Sequence, residues 1–283
     1  MKHSLSRLSG ATKVWLFFLS ITIVFLIIGN SLSGRIGLFI SFIFALIFHS
    51  LVYFYGRSRL IHYFHARPIF GNDPWGLTEY LKKYSLLLQI PRPDLYVIDS
   101  QSCIAFSIGN YWQNSSICIS TGLLKKLSEK ETETVLVHQI CHVHRMNTFE
   151  FGVAHIISFS LVGLGQLLDY FWPFKNHQKI ILQKPFSNLL SPLAWFILKL
   201  AITDKIYFQN DDMAAALLHD RKSLAEVLWK LDGLNQSYPL QLPPCSSHFF
   251  IVNPTALKEK NWFLLAHPKI DTRIRRLIGY FPI

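Results

Sequence analysis

Charge is scarce in this sequence. Only 16% of its 283 residues are Asp, Glu, Lys or Arg, and 51% are hydrophobic; ordinary soluble domains carry about 25% charged residues. That balance excludes a charged, disordered chain and leans toward a membrane. Acidic residues are scarcer than basic ones, 17 against 28, for a formal net charge of +11. In a membrane protein such an excess belongs to cytoplasmic loops facing anionic lipid. No basic-aromatic motif accompanies it, so nothing points to a nucleic-acid partner. Cysteine is scarce as well. Cys103, Cys118, Cys141 and Cys245 form no C-x-x-C pair, which excludes a disulfide scaffold and fits reduced thiols in a cytoplasmic compartment. Internal repeats and low-complexity segments are absent.

Long apolar runs, by contrast, are plentiful. Residues 14–29 (VWLFFLSITIVFLIIG) and 36–54 (IGLFISFIFALIFHSLVYF) are joined by the short turn Asn30–Arg35. Each, with its flanks, is long enough to cross about 30 Å of hydrocarbon. No small-x-small cleavage site follows the first run, and the second comes at once, so the pair reads as an uncleaved transmembrane hairpin over 1–56. Lys2, Arg7 and Lys13 before it, and Arg57, Arg59 and Arg67 after it, place both of its ends in the cytoplasm. Two more apolar stretches, 151–172 and 188–202, read as a second hairpin in or on the membrane within 148–206. They carry His155, Gln166, Asp169 and Lys199, and ionisable residues in lipid face a protein interior. The joining lysines Lys175, Lys179 and Lys184 weakly oppose placing that loop outside.

Between the hairpins, 75–89 has helical spacing. The runs 95–98 (LYVI), 103–107 (CIAFS) and 117–120 (ICIS) read as short strands. Residues 121–128 and 129–145 read as helices, the second with Ser128 or Thr132 as N-cap and Glu129, Glu131 and Glu133 at its N-terminus. Residues 203–283 read as soluble and helical. The soluble parts flank the second hairpin, so 57–283 reads as one domain interrupted by it, of α+β class and mainly helical.

Inside the 129–145 helix stands V-L-V-H-Q-I-C-H-V-H-R (135–145). His138 and His142, four apart, lie about 40° apart around a helix axis and one turn along it. That spacing lets one helix offer two imidazoles to one metal, as in H-E-x-x-H zinc peptidases, where the Glu takes a proton from zinc-bound water. Gln139 stands at the Glu position and cannot do so. Cys141, three residues after His138, either fills a packing slot as a small hydrophobe or offers a third ligand. His144 points to the face opposite His142 and reads as solvated. Strand 115–121 is a candidate edge for pairing with an extended peptide, and Arg273, Arg275 and Arg276 read as a solvated helix face.

The run S-T-G-L-L-K-K-L-S-E-K-E-T-E-T-V-L-V-H-Q-I-C-H-V (120–143) resembles the segment entering the active-site helix of HtpX-type membrane zinc metallopeptidases, the family that includes the CAAX prenyl proteases. P-D-L-Y-V-I-D-S, A-F-S-I-G, H-F-F-I-V-N-P and A-H-P-K-I-D-T-R-I-R-R-L resemble further motifs of that family in its order, over nearly the whole chain. The resemblance implies a zincin-like peptidase domain. It also implies a third zinc ligand, a Glu, aligned with Tyr207 in Y-F-Q-N-D-D-M-A-A-A (207–216), and a ligand-orienting Asp aligned with Asp211. His267 becomes structural or substrate-proximal, and Asn147 takes the place of an acidic residue after the helix. With Gln139 and Tyr207 where the family carries glutamates, zinc is expected to bind weakly or not at all. The expected function is that of a pseudopeptidase of the bacterial plasma membrane. Its soluble domain is cytoplasmic, and it binds a peptide or membrane-protein partner in quality control or in a membrane complex. Two alternatives stay open: a working zinc endopeptidase whose third ligand is rearranged (Tyr207 as phenolate, Asp211, Asp212 or Cys141), and a structural scaffold.

Overall fold

The computed structural model describes residues 2–69, 73–109, 112–171, 184–242, 245–255 and 267–279. Lys175, Lys179 and Ala266, which entered the sequence reading, lie outside the described residues. The first helical stretch, α1 (Lys2–Tyr63), breaks at Ser33 and Gly34, where Gly34 takes φ 54°, a conformation that costs glycine little. The chain reverses there. Phe25 meets Phe44 with ring centroids 5.3 Å apart, and Phe18 meets His49 at 4.6 Å. This is the hairpin expected from residues 14–54, with its turn inside Asn30–Arg35. Trp15, Ile27, Leu32, Ile36, Phe39 and Ile40 are more than half exposed, and outward apolar residues of this density belong in lipid.

The soluble core is built on a four-stranded sheet: β1 (Arg67–Pro68), β2 (Asp94–Ile98), β3 (Ala105–Gly109) and β4 (Ser115–Ser120), in the order β1-β2-β4-β3. β2 and β4 run parallel, and the other pairs run antiparallel. β4 is therefore an interior strand, and the edge of the sheet on that side is β3. The expectation that 115–121 forms the peptide-pairing edge is corrected accordingly. Every residue of β3 and β4 is buried, and period-two alternation sends them to two cores. Ala105, Ile117 and Ile119 join Leu77, Leu81, Leu136, Ile140 and Leu228 on one face. Phe106, Ile108 and Cys118 join Phe151, Leu198, Tyr207 and Phe250 on the other.

Helices α2 (Leu77–Leu87), α3 (Thr121–Lys126), α4 (Glu129–His144), α5 (Asn147–Tyr170), α6 (Pro185–Ala201), α7 (Asp204–Leu218), α8 (Arg221–Ser237) and α9 (Ile270–Ile278) complete the described fold. α5 and the stretch beginning at α6, like α1, are long and apolar enough to cross a membrane. α5 and α6 pack together as a hairpin, with Gly165 against Ser187: a Cβ on Gly165 would sit 3.0 Å from Ser187 Cα. The helical path breaks at Ile202, which has extended backbone. α7 then turns onto α4, outside the apolar hairpin. α4 thus lies between the sheet on one side and α7, α8 and α2 on others, buried almost all round.

Candidate active site

Ser128 and Glu131 close a capping box that starts α4, which fixes the register that carries His138, Gln139 and His142 inward. All three are buried. Tyr207, Asn210 and Asp211, at i, i+3 and i+4 on α7, face them, and α9 delivers Arg273 from the far side.

Arg273 is 1% exposed. Its guanidinium grips the Asp211 carboxylate with two bonds, Nε to Oδ2 at 2.8 Å and Nη2 to Oδ1 at 2.6 Å, and a third N–H reaches the Ile251 carbonyl. Burial alone would raise the pKa of Asp211, but the adjacent guanidinium overrides it and holds the carboxyl well below the usual range. An ionised Asp211 only accepts, so the 3.0 Å contact to His138 Nε2 puts the ring proton on Nε2. His138 Nδ1 is left with a buried lone pair that no described group reaches. Burial depresses the pKa of both His138 and His142, which keeps them neutral.

His142 is held differently. Asn210 Nδ2 donates to its Nδ1 at 2.8 Å, and Asn147 Nδ2 stands 3.5 Å from the same nitrogen. The two amides thus hold the ring mainly through Nδ1, with Nε2 only 3.4 Å from Asn210 Nδ2. The Tyr207 hydroxyl donates to the His248 carbonyl at 3.0 Å, and burial drives its pKa upward. Gln139 Nε2 donates to the backbone carbonyl of Ala105 on β3 at 3.3 Å.

These positions do not match a three-ligand zinc centre. Such a centre needs lone pairs converging on one point with a third anionic or imidazole donor. His138 and His142 could supply two nitrogens, but the third position fails, because Tyr207 is a neutral phenol whose hydroxyl donates to a carbonyl. The Cys141 thiol is fully buried, and burial raises its pKa. Asp212 is turned outward, 3.2 Å from Arg276. Among the described residues no group of three His, Cys, Asp or Glu side chains is placed to share a metal ion.

Several expected positions come together: His138, Gln139, His142, Tyr207, Asp211 and Cys141 are within or against one helix face, and His267 lies beside Tyr207 with rings 4.8 Å apart. His267 Nε2 meets the Ser247 carbonyl at 2.6 Å, and burial lowers its pKa to about 3. Two expectations fail. Arg273 is an interior ion-pair partner, not part of a solvated face, because α9 turns its Ile270–Ile274–Leu277 stripe inward and Arg273 sits on it. His144 is buried, because the side of α4 opposite His142 meets protein, not water. The sequence reading also assigned no role to Asn210 and His248. Asn210 carried a readable signal, its i+3 spacing from Tyr207.

Comparison with known proteins agrees with this architecture. A profile described as Peptidase family M48 matches residues 77–280. A protein named "Protease HtpX homolog" from Pelotomaculum thermopropionicum is 26% identical, over 94% of this chain and 97% of its own length. "Protease HtpX" from Legionella pneumophila is also 26% identical, with the same coverage of both chains. The crystal structure of S. mikatae Ste24p shares the fold at a TM-score of 0.53 and 18% identity, over 98% of this chain and 67% of that one.

Proposed function

The chain belongs to peptidase family M48, and from that premise we propose that it is a pseudopeptidase: a membrane-held peptidase frame that binds an extended peptide or a partner protein and hydrolyses it poorly or not at all. One observation carries the reading. The two side chains at the family's glutamate positions are spent on backbone carbonyls, Gln139 on Ala105 and Tyr207 on His248. An amide cannot take a proton from water, and a positioned general base contributes roughly 10²- to 10⁴-fold in rate. Zinc, if it binds, is held weakly, since affinity draws on all ligands at once. In this reading residues 1–56 anchor the chain, and 57–283 form one peptidase-like domain in the cytoplasm, interrupted by the hairpin of 148–206. The partner is a membrane protein under quality control or in a standing complex.

The competing reading, favoured by relatives that are named proteases, is a working zinc endopeptidase with a substitute third ligand. Elemental analysis of the detergent-purified protein, beside a Gln139→Glu/Tyr207→Glu variant, separates them. Metal-poor wild type with stoichiometric zinc in the variant is the expected result. One zinc per wild-type chain, lost in His138→Ala and accompanied by chelator-sensitive cleavage of an unfolded membrane substrate, would sink the proposal.

A further inference from the structure

Extended ligands add to a free sheet edge through main-chain hydrogen bonds, with pockets reading alternate side chains. In this fold the edge beside α4 is β3, and it is not free. Phe250 forms an isolated antiparallel bridge with Phe106 of β3. Its ring packs on both Phe106 and Phe64, 5.3 and 6.0 Å away, and these two rings also meet each other at 5.2 Å. The backbone around Phe250 is held by side chains from four separate helices or loops. Besides the Tyr207, His267 and Arg273 contacts to His248, Ser247 and Ile251, His155 Nδ1 meets the Cys245 carbonyl at 2.9 Å. Four carbonyls within seven residues thus face the side chains of His155, His267, Tyr207 and Arg273, of which Tyr207 also borders His142 and Arg273 borders His138.

A second observation separates this segment from ordinary core. Ser246, Ser247 and His248 are no more than 1% exposed. Yet Ser246 Oγ and Ser247 Oγ find no hydrogen-bond partner among the described residues. Permanent cores rarely bury polar atoms this way, because each one left unpaired is costly. A segment that leaves the groove returns those atoms to water.

We propose that residues 245–252 are a built-in occupant of the peptide groove. The segment blocks the β3 edge in the resting protein and yields it to an extended peptide with aromatic and aliphatic side chains in place of Phe249, Phe250 and Ile251. The proposal rests on the peptide-binding part of the reading above and holds whether or not zinc binds.

The test uses the full chain in detergent, with excess chelator, and a fluorescent peptide of its own sequence S-S-H-F-F-I-V (246–252) read by anisotropy against a scrambled control. Phe250→Ala and Ile251→Ala each remove from the resident segment a buried side chain that the peptide still carries. Both are expected to bind the peptide roughly tenfold or more tighter than wild type, the scale of one buried apolar side chain, and the scrambled peptide not at all. In hydrogen exchange on wild type, amides 247–252 are expected to open at least about tenfold faster than those of α4. Exchange of the segment in step with α4, or no peptide binding by folded Phe250→Ala and Ile251→Ala, overturns the proposal. Equal, tight binding to wild type and variants also overturns it, while leaving the groove a peptide site. The zinc assay decides the pseudopeptidase reading separately.

Discussion

Arg273 sits where its guanidinium neutralises Asp211, and Asp211 in turn fixes the tautomer of His138. Removing one member of a buried pair leaves the other charge uncompensated, which is more damaging than losing the pair. Arg273→Met is therefore expected to destabilise the full chain by roughly 3–5 kcal/mol, and Arg273→Met/Asp211→Asn to recover a large part of that. Thermal unfolding in detergent, followed by circular dichroism, checks both; equal melting of wild type and Arg273→Met would show that the pair contributes nothing. Arg273 was legible in part. Its spacing from Ile270, Ile274 and Leu277 puts it on the apolar stripe of α9, but the basic neighbours Arg275 and Arg276 made the whole turn look solvated. His138, Gln139 and His142 were legible because helix periodicity alone brings them together. Asn210 on His142 was not, because that contact needs the packing of α7 on α4, which no local pattern encodes.

At the scale of elements, helix ends do much of the positioning. Asp169, near the end of α5, accepts from the backbone N–H groups of Phe186 and Ser187 at 2.9 and 3.0 Å. It caps the helix beside it, a site where a carboxylate also meets the positive end of the dipole. The sequence flagged Asp169 as a charge needing a protein partner. It could not say that the partner is backbone, because unsatisfied N–H groups leave no mark in composition. Asp169→Ala is expected to lower the stability of the α5–α6 hairpin by about 0.5–2 kcal/mol, read as a lower melting midpoint, with Asp169→Asn losing less. At the other end of the fold, Glu131 closes the α4 capping box and pairs with Lys230 at 2.7 Å. Burial pushes the Glu131 pKa up, but Lys230 and the Ser128 contacts more than offset it, so the folded pKa is depressed. A depressed carboxyl stabilises fully above its unfolded pKa of about 4.3 and loses that contribution as pH falls through the lower folded value. The melting difference between wild type and Glu131→Gln should thus be present at pH 6 and shrink progressively below about pH 4.3. A gap that widens on acidification would refute the assignment.

In chain order the molecule is an apolar hairpin, the sheet with α2 to α4, a second apolar hairpin and then α7 to α9, and the two hairpins were readable because hydropathy is additive along a chain. The sheet was readable only as separate strands. Which strand forms the edge, and that 245–252 covers it, depends on pairings between distant segments. The orientation proposed above rests on sequence alone: basic residues flank the first hairpin at both of its outer ends, and under the positive-inside rule the proposal has the peptidase-like domain in the cytoplasm and the Ser33–Gly34 turn outside. The molecule supplies its own clean labelling background, because Cys103, Cys118, Cys141 and Cys245 are all buried and none is in a disulfide. A single cysteine placed at Ser33, which is exposed in the turn, or at Lys222, whose side chain is 70% exposed on α8, can be probed with a membrane-impermeant maleimide. In inverted bacterial membrane vesicles Lys222→Cys should label and Ser33→Cys should not; in intact spheroplasts the pattern should reverse. The opposite pattern would place the domain outside the cytoplasm, in an oxidising compartment where the four buried thiols stay reduced only by burial. Labelling of both positions from one side would mean that the first hairpin does not cross the bilayer, and that its exposed apolar residues lie along the membrane surface instead.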